Sequence, residues 1–378
     1  MKIIHVIIAL NTGGAELMLK RLVTSHLDNS NYHHTVVSLC DLGPVGRQLR
    51  ELGVEVVALG MHSVFQLPVV FFRLIRTIHS REPDIVQTWM YHADLVGGLA
   101  ARLAGCQKVI WGVRNTDVYS NNGVSRGTAI LMKLSAILSR VIPHTIVCVA
   151  YKARDVHVEK GYVINKMVVI GNGFDTEVFK FDANRRMFMR QSLNLPADAL
   201  VIGSIGRYNQ YKDHQSFITS AGDLASIDDG VYFLLAGANI DIKNKTMNKW
   251  IQDTGYFDRF RLVGERSDVP DILNAMDIFC LHSISEGFPN VLGEAMSIGL
   301  PSVVAEVGDA ALLLGVAGLV VPPRDQDALT NSLSDLMNLS SEQRVELGKL
   351  ARRRIKEKFS IRSVQVQYEE LYKKVVNE

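Results

Sequence analysis

Asp277-Ile278-Phe279-Cys280-Leu281, followed by Ser285-Glu286-Gly287-Phe288-Pro289-Asn290-Val291-Leu292-Gly293-Glu294-Ala295-Met296 and then Gly299-Leu300-Pro301, is the stretch on which the fold turns. Asp277–Leu281 is a short apolar run that fits a buried parallel strand. Pro289, with its restricted φ and no N–H, suits the first position of a following helix, which is predicted to run from about Pro289 to Ile298. Gly299 can take the left-handed conformation that closes a helix, and Pro301 forbids its continuation. The first N–H groups of that helix have no carbonyl four residues back, so they point into the loop Ser285 to Phe288 and favour an anion there, with a diphosphate as the natural guest. Glu286 precedes the helix, whereas Glu294 lies within it, four residues after Asn290 and on the same face. Two acidic residues eight apart are common by chance. The plain alternative makes Glu294 a solvated helix residue and Glu286 a loop charge.

Working outward, apolar strand-like runs alternate with helical patterns along the whole chain. Ile3–Ala9, Thr35–Leu39, Val54–Leu59, Asp84–Thr88, Val109–Val113, Thr145–Val149 and Met167–Ile170 form a first series. Val201–Ile205, Tyr232–Ala236, Arg261–Val263, Asp277–Leu281, Ser302–Ala305 and Leu319–Val321 form a second. Such alternation predicts an α/β protein with two Rossmann-like, doubly wound parallel-sheet domains, each covered by helices on both faces. The break is expected near Asn172-Gly173-Phe174-Asp175, giving domains at 1–171 and 172–358. Two further helical segments are expected at about 342–358 and 360–376. Ligands of such folds bind at the carboxyl ends of the strands, so a cleft between the two halves is the expected site.

At 378 residues the chain exceeds what one core usually fills. No apolar run reaches the length of a membrane span, and Met1–Leu10 lacks a small-residue cleavage site, so it reads as a first strand and not as a signal peptide. Cys40, Cys106, Cys148 and Cys280 show no paired spacing, which argues for neither a zinc site nor a disulfide framework and fits a reducing cytoplasm. Residues 1–171 carry 18 Lys and Arg against 11 Asp and Glu, and residues 172–378 carry 23 against 28. The positive first half is weak support for an anionic partner such as a phospholipid surface or a pyrophosphate-linked acceptor.

The run from Glu286 to Met296, followed by Gly-Leu-Pro, resembles the E-x7-E signature of the retaining glycosyltransferases of family 4. Three more segments carry the resemblance in the right order. Asn11-Thr12-Gly13-Gly14-Ala15-Glu16 follows the first strand and opens a helix; it lacks the G-x-G-x-x-G spacing of nicotinamide sites and resembles the family's Gly-Gly loop, with Gly14 facing the donor. Ser204 to His214 places Arg207 and Lys212 on a loop entering a helix, a pair able to clamp a diphosphate, although two surface cations is the default reading of any such pair. The order strand, Gly-Arg, four residues, Lys-Asp is similar to the family's diphosphate loop. His92, in Trp89-Met90-Tyr91-His92-Ala93-Asp94, stands where the resemblance implies a contact near the anomeric carbon; a capping or surface histidine is the plain alternative.

Gly264-Glu265-Arg266 resembles the nucleobase-binding turn, where backbone groups make the contacts, so the side chain of Arg266 matters little. The resemblance also assigns Phe288, Pro289, Asn290 and Val291 to donor binding with Glu294. Two segments depart from the family pattern. After Val109–Val113 the chain has Arg114-Asn115-Thr116-Asp117, either an acceptor phosphate contact or a helix cap; after Val307-Gly308-Asp309, Leu312 stands at about the place of a family Glu. Asp325-Gln326-Asp327 superficially matches a metal-binding D-x-D, but Asp325 as an N-cap and Asp327 in the first turn explain it better.

The resemblance covers nearly the whole chain. It implies a GT-B fold whose last segment, 359–378, crosses back to the first domain. It also implies a retaining, metal-independent hexosyltransferase that needs no cofactor and moves a sugar from a nucleotide-sugar donor to a saccharide or polyprenyl-pyrophosphate-linked acceptor. The expected setting is cytoplasmic synthesis of a surface polysaccharide such as O-antigen, capsule or exopolysaccharide, with no nucleic-acid partner. Glu286, Arg207, Lys212 and His92 are the expected catalytic residues, with Glu294 on the ribose. Phe65–His79 pairs Leu67, Val69, Val70, Phe71, Phe72, Leu74, Ile75 and Ile78 with Arg73 and Arg76; it is read either as a basic amphipathic helix on an anionic membrane or as core packing. The rival readings are a nucleotide-sugar epimerase of similar fold and a sugar-nucleotide-binding protein without catalysis.

Overall fold

The computed structural model describes residues 1–114 and 126–378, without the side chains of 126–129. The strand-forming runs appear as seven strands in one sheet and six in another. β1 (Lys2–Ile7), β2 (His33–Ser38), β3 (Glu55–Ala58), β4 (Ile85–Trp89), β5 (Val109–Val113), β6 (Thr145–Cys148) and β7 (Met167–Val169) form the first. β8 (Leu200–Ile205), β9 (Val231–Ala236), β10 (Phe260–Leu262), β11 (Ile278–Leu281), β12 (Ser302–Ala305) and β13 (Gly318–Val321) form the second. The opening apolar run is thus β1, as expected. Every paired strand runs parallel to its neighbour.

The strand orders are β3-β2-β1-β4-β5-β6-β7 and β10-β9-β8-β11-β12-β13. Both are doubly wound, and each reverses direction once, between β1 and β4 and between β8 and β11. At such a switch point the loops leaving the two central strands diverge to opposite faces and open a crevice at their carboxyl ends.

The described residues divide into two compact units, Met1–Gly173 with Ile361–Glu378, and Phe174–Ser360. In the first unit two apolar clusters cover the two faces of the sheet. One packs Ile3, Ile7, Leu22 and Trp89 against Val364, Tyr368, Leu371, Tyr372 and Val375 of the helix Ile361–Asn377. Their spacing along that helix is the amphipathic pattern of a core-facing face. Tyr372 donates from its hydroxyl to Gln87 Oε1 at 2.5 Å, satisfying a polar group on the buried β4. The other cluster packs Val6, Val86 and Trp111 under the helices Leu67–Arg81, Tyr91–Leu103 and Arg126–Leu138, which contact one another in that order.

In the second unit Ile202, Phe217, Phe233, Ile278 and Leu333 lie in one cluster. Each fully buried side chain of this size contributes about 1.5–3 kcal/mol relative to exposure. Asp277 anchors the start of β11: it accepts from Arg186 at 2.5 Å, from Arg190 at 2.6 Å and from the Val201 N–H at 2.8 Å. Phe174 opens this unit and is fully buried, and a Cβ at Gly293 would lie 2.0 Å from its ring. Gly293 is therefore required where the helix after β11 crosses that ring.

Candidate active site

The helix after β11 spans Asn290–Ile298, with Pro289 as its N-cap at φ −77°, ψ 91°. This moves Pro289 one position outward from the first helical turn expected for it, because its extended ψ lies outside the helical region. Gly299 closes the helix at φ 100°, as expected. Pro289 offers no side-chain cap, and the preceding loop carries Glu286 in front of the helix.

Glu286 is half-buried and receives two hydrogen bonds on Oε1, one from Lys212 Nζ and one from Ser283 Oγ at 2.6 Å. The two loops that meet here leave β8 and β11, the strands flanking the switch point of this sheet. Asp213, in the left-handed region at φ 51°, turns the chain from the Lys212 loop into the helix His214–Ile227. The Ile284 N–H donates to the Tyr211 carbonyl at 2.7 Å, tying the loops together by their backbones. Arg207 stands on the same loop as Lys212 and is exposed. Gly308, at φ 55°, brings a third loop against the pair: a Cβ there would lie 2.4 Å from the carbonyl oxygens of both Glu286 and Gly287. That contact comes from the turn before Leu312, whose side chain is exposed.

The other residues of this unit expected to bind the donor lie at the same ends of the strands. Gly264 has φ 71° and donates from its N–H to Ile240 O at 2.7 Å, while its carbonyl accepts from Gly237 N at 2.8 Å. Arg266 makes two hydrogen bonds to Asp268, at 2.7 and 2.5 Å, which lower the Asp268 carboxyl below its usual range. Its guanidinium is thus held by a neighbour, in keeping with a turn that offers backbone groups. Phe288 is buried and stacks on Phe174 at 6.1 Å, so its side chain supports the loop from beneath. Asn290, Val291 and Glu294 lie partly exposed on the helix. Asp325 accepts from the Ala328 N–H at 2.9 Å as the N-cap of Gln326–Asn338, as expected.

In the first unit the corresponding loops leave β1 and β4. Gly14 is the first residue of the helix Gly14–Thr24, with Gly13 as its extended N-cap. His92 is exposed in the first turn of Tyr91–Leu103. It follows Met90, whose φ of 74° is costly for a residue with a side chain and re-aims the chain at the end of β4. Beneath that turn the buried carboxyl of Asp94 accepts from Thr88 Oγ1 at 2.6 Å and the Gly112 N–H at 3.1 Å; burial raises it to about 7.

Arg114 lies over the Trp89 ring at 4.4 Å and donates to Asn172 Oδ1 at 2.5 Å and to the Tyr368 hydroxyl at 2.8 Å. Of the two readings open for this segment, neither includes this role: the guanidinium ties β5 to the helix Ile361–Asn377. Asn115 lies outside the described residues.

Residues 12–178 match the family described as Glycosyltransferase Family 4, and residues 199–338 match Glycosyl transferases group 1. The chain belongs to these glycosyltransferases. Among curated relatives of this glycosyltransferase, the UDP-Gal:α-D-GlcNAc-diphosphoundecaprenol α-1,3-galactosyltransferase of Escherichia coli is 27% identical over 266 residues, covering 69% of this chain and 68% of the relative. The capsular polysaccharide biosynthesis glycosyltransferase CapM of Staphylococcus aureus is 25% identical over 325 residues, covering 81% and 80%. Among solved structures, Anabaena HepE in complex with UDP superposes with a TM-score of 0.86 at 23% identity, over 99% of this chain and 100% of that one, a likeness of fold.

Proposed function

We propose that this glycosyltransferase moves a sugar, with retention, from a UDP-sugar to a lipid-linked saccharide in the synthesis of a surface polysaccharide. The observation that carries the chemistry is the Lys212–Glu286 pair at the switch point between β8 and β11. In this reading Lys212, Arg207 and the N-terminus of Asn290–Ile298 hold the diphosphate. Glu286 receives hydroxyls of the donor sugar, and Glu294 the ribose. As the bond from the anomeric carbon to the diphosphate oxygen breaks, negative charge grows where the two cations stand. The acceptor hydroxyl attacks the same face, and its proton passes to the departing phosphate oxygen. These positive groups stabilise the leaving group without a divalent cation. The relatives' names support the donor and acceptor classes: one uses UDP-Gal and a diphosphoundecaprenol-linked sugar, and HepE was solved with UDP.

The test is a thermal-shift and product screen of UDP-, GDP- and ADP-sugars on wild type and Glu286→Ala, with and without EDTA. UDP-sugars are expected to raise the melting temperature and to turn over equally in EDTA, with turnover lost in the variant. An interconverted nucleotide sugar would replace this reading with an epimerase. The absence of stabilisation by any donor class would overturn it.

Membrane contact belongs to the same proposal. On the helix Leu67–Arg81 one edge, Val70, Leu74 and Ile78, is buried, so the core-packing reading holds for those residues. The other edge leaves Val69 and Phe72 exposed, with Phe65 just before it 91% exposed. The helix Arg126–Leu138, on the same face of the sheet, exposes Ile130, Leu134 and Ile137. Arg73, Arg76, Lys133 and Arg140 lie among these residues, and neither 56–81 nor 126–142 contains an acidic residue. Two apolar ridges with basic flanks match an anionic lipid surface. The triple variant Phe65→Asp, Phe72→Asp, Ile137→Asp is expected to lose at least about tenfold in co-sedimentation with phosphatidylglycerol vesicles, each inserted side chain being worth about 1.5–3 kcal/mol. Equal sedimentation of wild type with and without anionic lipid would remove the membrane claim.

A further inference from the structure

β11 is followed directly by a residue that its surroundings do not predict. His282 is 5% exposed, stacked on Phe217 at 4.8 Å and set edge-on to His214 at 5.1 Å, where an apolar side chain would be the default. Its bonds explain its presence. Nδ1 faces the Lys212 carbonyl, and since a carbonyl only accepts, Nδ1 carries the proton. Nε2 is then the acceptor, and Ser204 Oγ at 2.7 Å donates to it. One imidazole thus links β8, the end of β11 and the main chain of Lys212.

His214 repeats the device in weaker form. Buried at the start of the helix His214–Ile227 and stacked on Tyr208 at 5.9 Å, it directs Nε2 at the carbonyl of Arg207, 3.4 Å away. With the proton on Nε2 its Nδ1 is an acceptor, buried and without a donor among the described residues. Burial keeps both rings uncharged: His282 is held well below the usual imidazole range, and His214 is lowered to about 4.

We infer that His282 and His214 are a positioning pair for the diphosphate loop, each holding by its main-chain carbonyl one of the two cations that the loop presents. The inference rests on the reading of Lys212 and Arg207 as diphosphate ligands. The loop needs such support. Its main chain is otherwise held by the Tyr208 N–H to Ala238 O bond at 2.9 Å, the Ile284 N–H to Tyr211 O bond at 2.7 Å, the Tyr211 N–H to Asn209 Oδ1 bond at 2.9 Å and the Lys212 N–H to Asn209 O bond at 3.2 Å, none of which reaches the carbonyls of Arg207 and Lys212, and Asp213 leaves it through the left-handed region. A cation stabilises a departing diphosphate only when its position is set beforehand, and a displacement of about 1 Å is costly. Neither histidine touches the donor in this arrangement. Both act through the cations.

The test compares UDP with UMP, which keeps base and ribose but lacks the second phosphate, by calorimetry on the full chain. His282→Phe keeps the ring stack and deletes both hydrogen bonds; His282→Asn keeps a donor toward Lys212. His282→Phe is expected to bind UDP at least tenfold more weakly with UMP affinity within twofold of wild type, and His282→Asn to recover most of the UDP loss. Equal weakening of UDP and UMP would reduce His282 to a structural residue and overturn the inference, as would unchanged UDP affinity. Should His282→Phe not fold, Ser204→Ala carries the same comparison: a selective UDP loss of about threefold is expected, and no selective loss overturns the inference. Wild type that binds none of UDP, GDP and ADP defeats the donor reading itself, a different failure. If GDP or ADP is the diphosphate bound, the same comparison runs with its monophosphate.

Discussion

Lys212→Ala is expected to lower glycosyl transfer by about 10²–10³-fold, the usual cost of removing one preorganised group from a developing anion. Glu286→Gln, which keeps the shape and deletes the charge, is expected to cost a similar factor. The double variant should lose little more than the worse single. The two side chains form one ion pair, 20% and 15% exposed, and Glu286 Oε1 also accepts from Ser283. Removing either partner therefore leaves the other charge poorly compensated and misplaced, so the two losses overlap. Melting temperatures of all three variants would separate lost chemistry from lost folding. Losses that multiply would show two independent roles, and single variants within threefold of wild type would remove the pair from the catalytic centre.

Mild acid is expected to destabilise the protein well above the carboxylate range. His5, His26, His34, His157, His214 and His282 are all lowered, and burial is the first cause in each. A group held below its unfolded value contributes stability above that value, here 6.5, and loses it as pH falls toward its folded value, because the unfolded chain takes up protons that the folded chain refuses. His34 is lowered to about 3, and His157 and His214 to about 4. At pH 5 each of these three costs about 2 kcal/mol on that linkage, roughly 6 kcal/mol together. Asp94, raised to about 7, acts the other way: the folded chain holds its proton first, which returns about 3 kcal/mol by pH 5. The histidines win by roughly 3 kcal/mol over these four groups, against a typical stability of about 5–15 kcal/mol. A melting temperature that falls steadily from pH 7 to pH 5 is the expected record. A flat or rising one would contradict it.

The strand series and both doubly wound sheets were legible because parallel strands buried on both faces read as continuous apolar runs. Glu286 and Lys212 were legible from motif and spacing, although 74 residues separate them and nothing local says that they touch. His282 carried no signal, and His214 entered only as the end of the segment from Ser204: the role of both depends on which carbonyls the tertiary fold brings to their rings. Arg114 was legible as a residue out of pattern. Its partners Asn172 and Tyr368 were not, since the latter lies 254 residues away. The apolar ridge of Arg126–Leu138 escaped notice because its exposed and buried faces are both apolar, and periodicity separates faces only when their polarity differs.

The first unit is assembled from two stretches of chain, 1–173 and 361–378, with the second unit inserted between them. Tyr368, Tyr372 and Val375, with Val364 and Leu371, complete a core whose other buried members are spread from Ile3 to Ile170. On a ribosome the inserted unit can therefore close while the earlier one still lacks its last helix, and the part begun first is finished last. Until residues 361–378 emerge, the surface that this helix covers stays open to chaperones and to other nascent chains. A truncation before Ile361 would stall at that stage, while the excised segment 174–360 has both its strands and its core within itself.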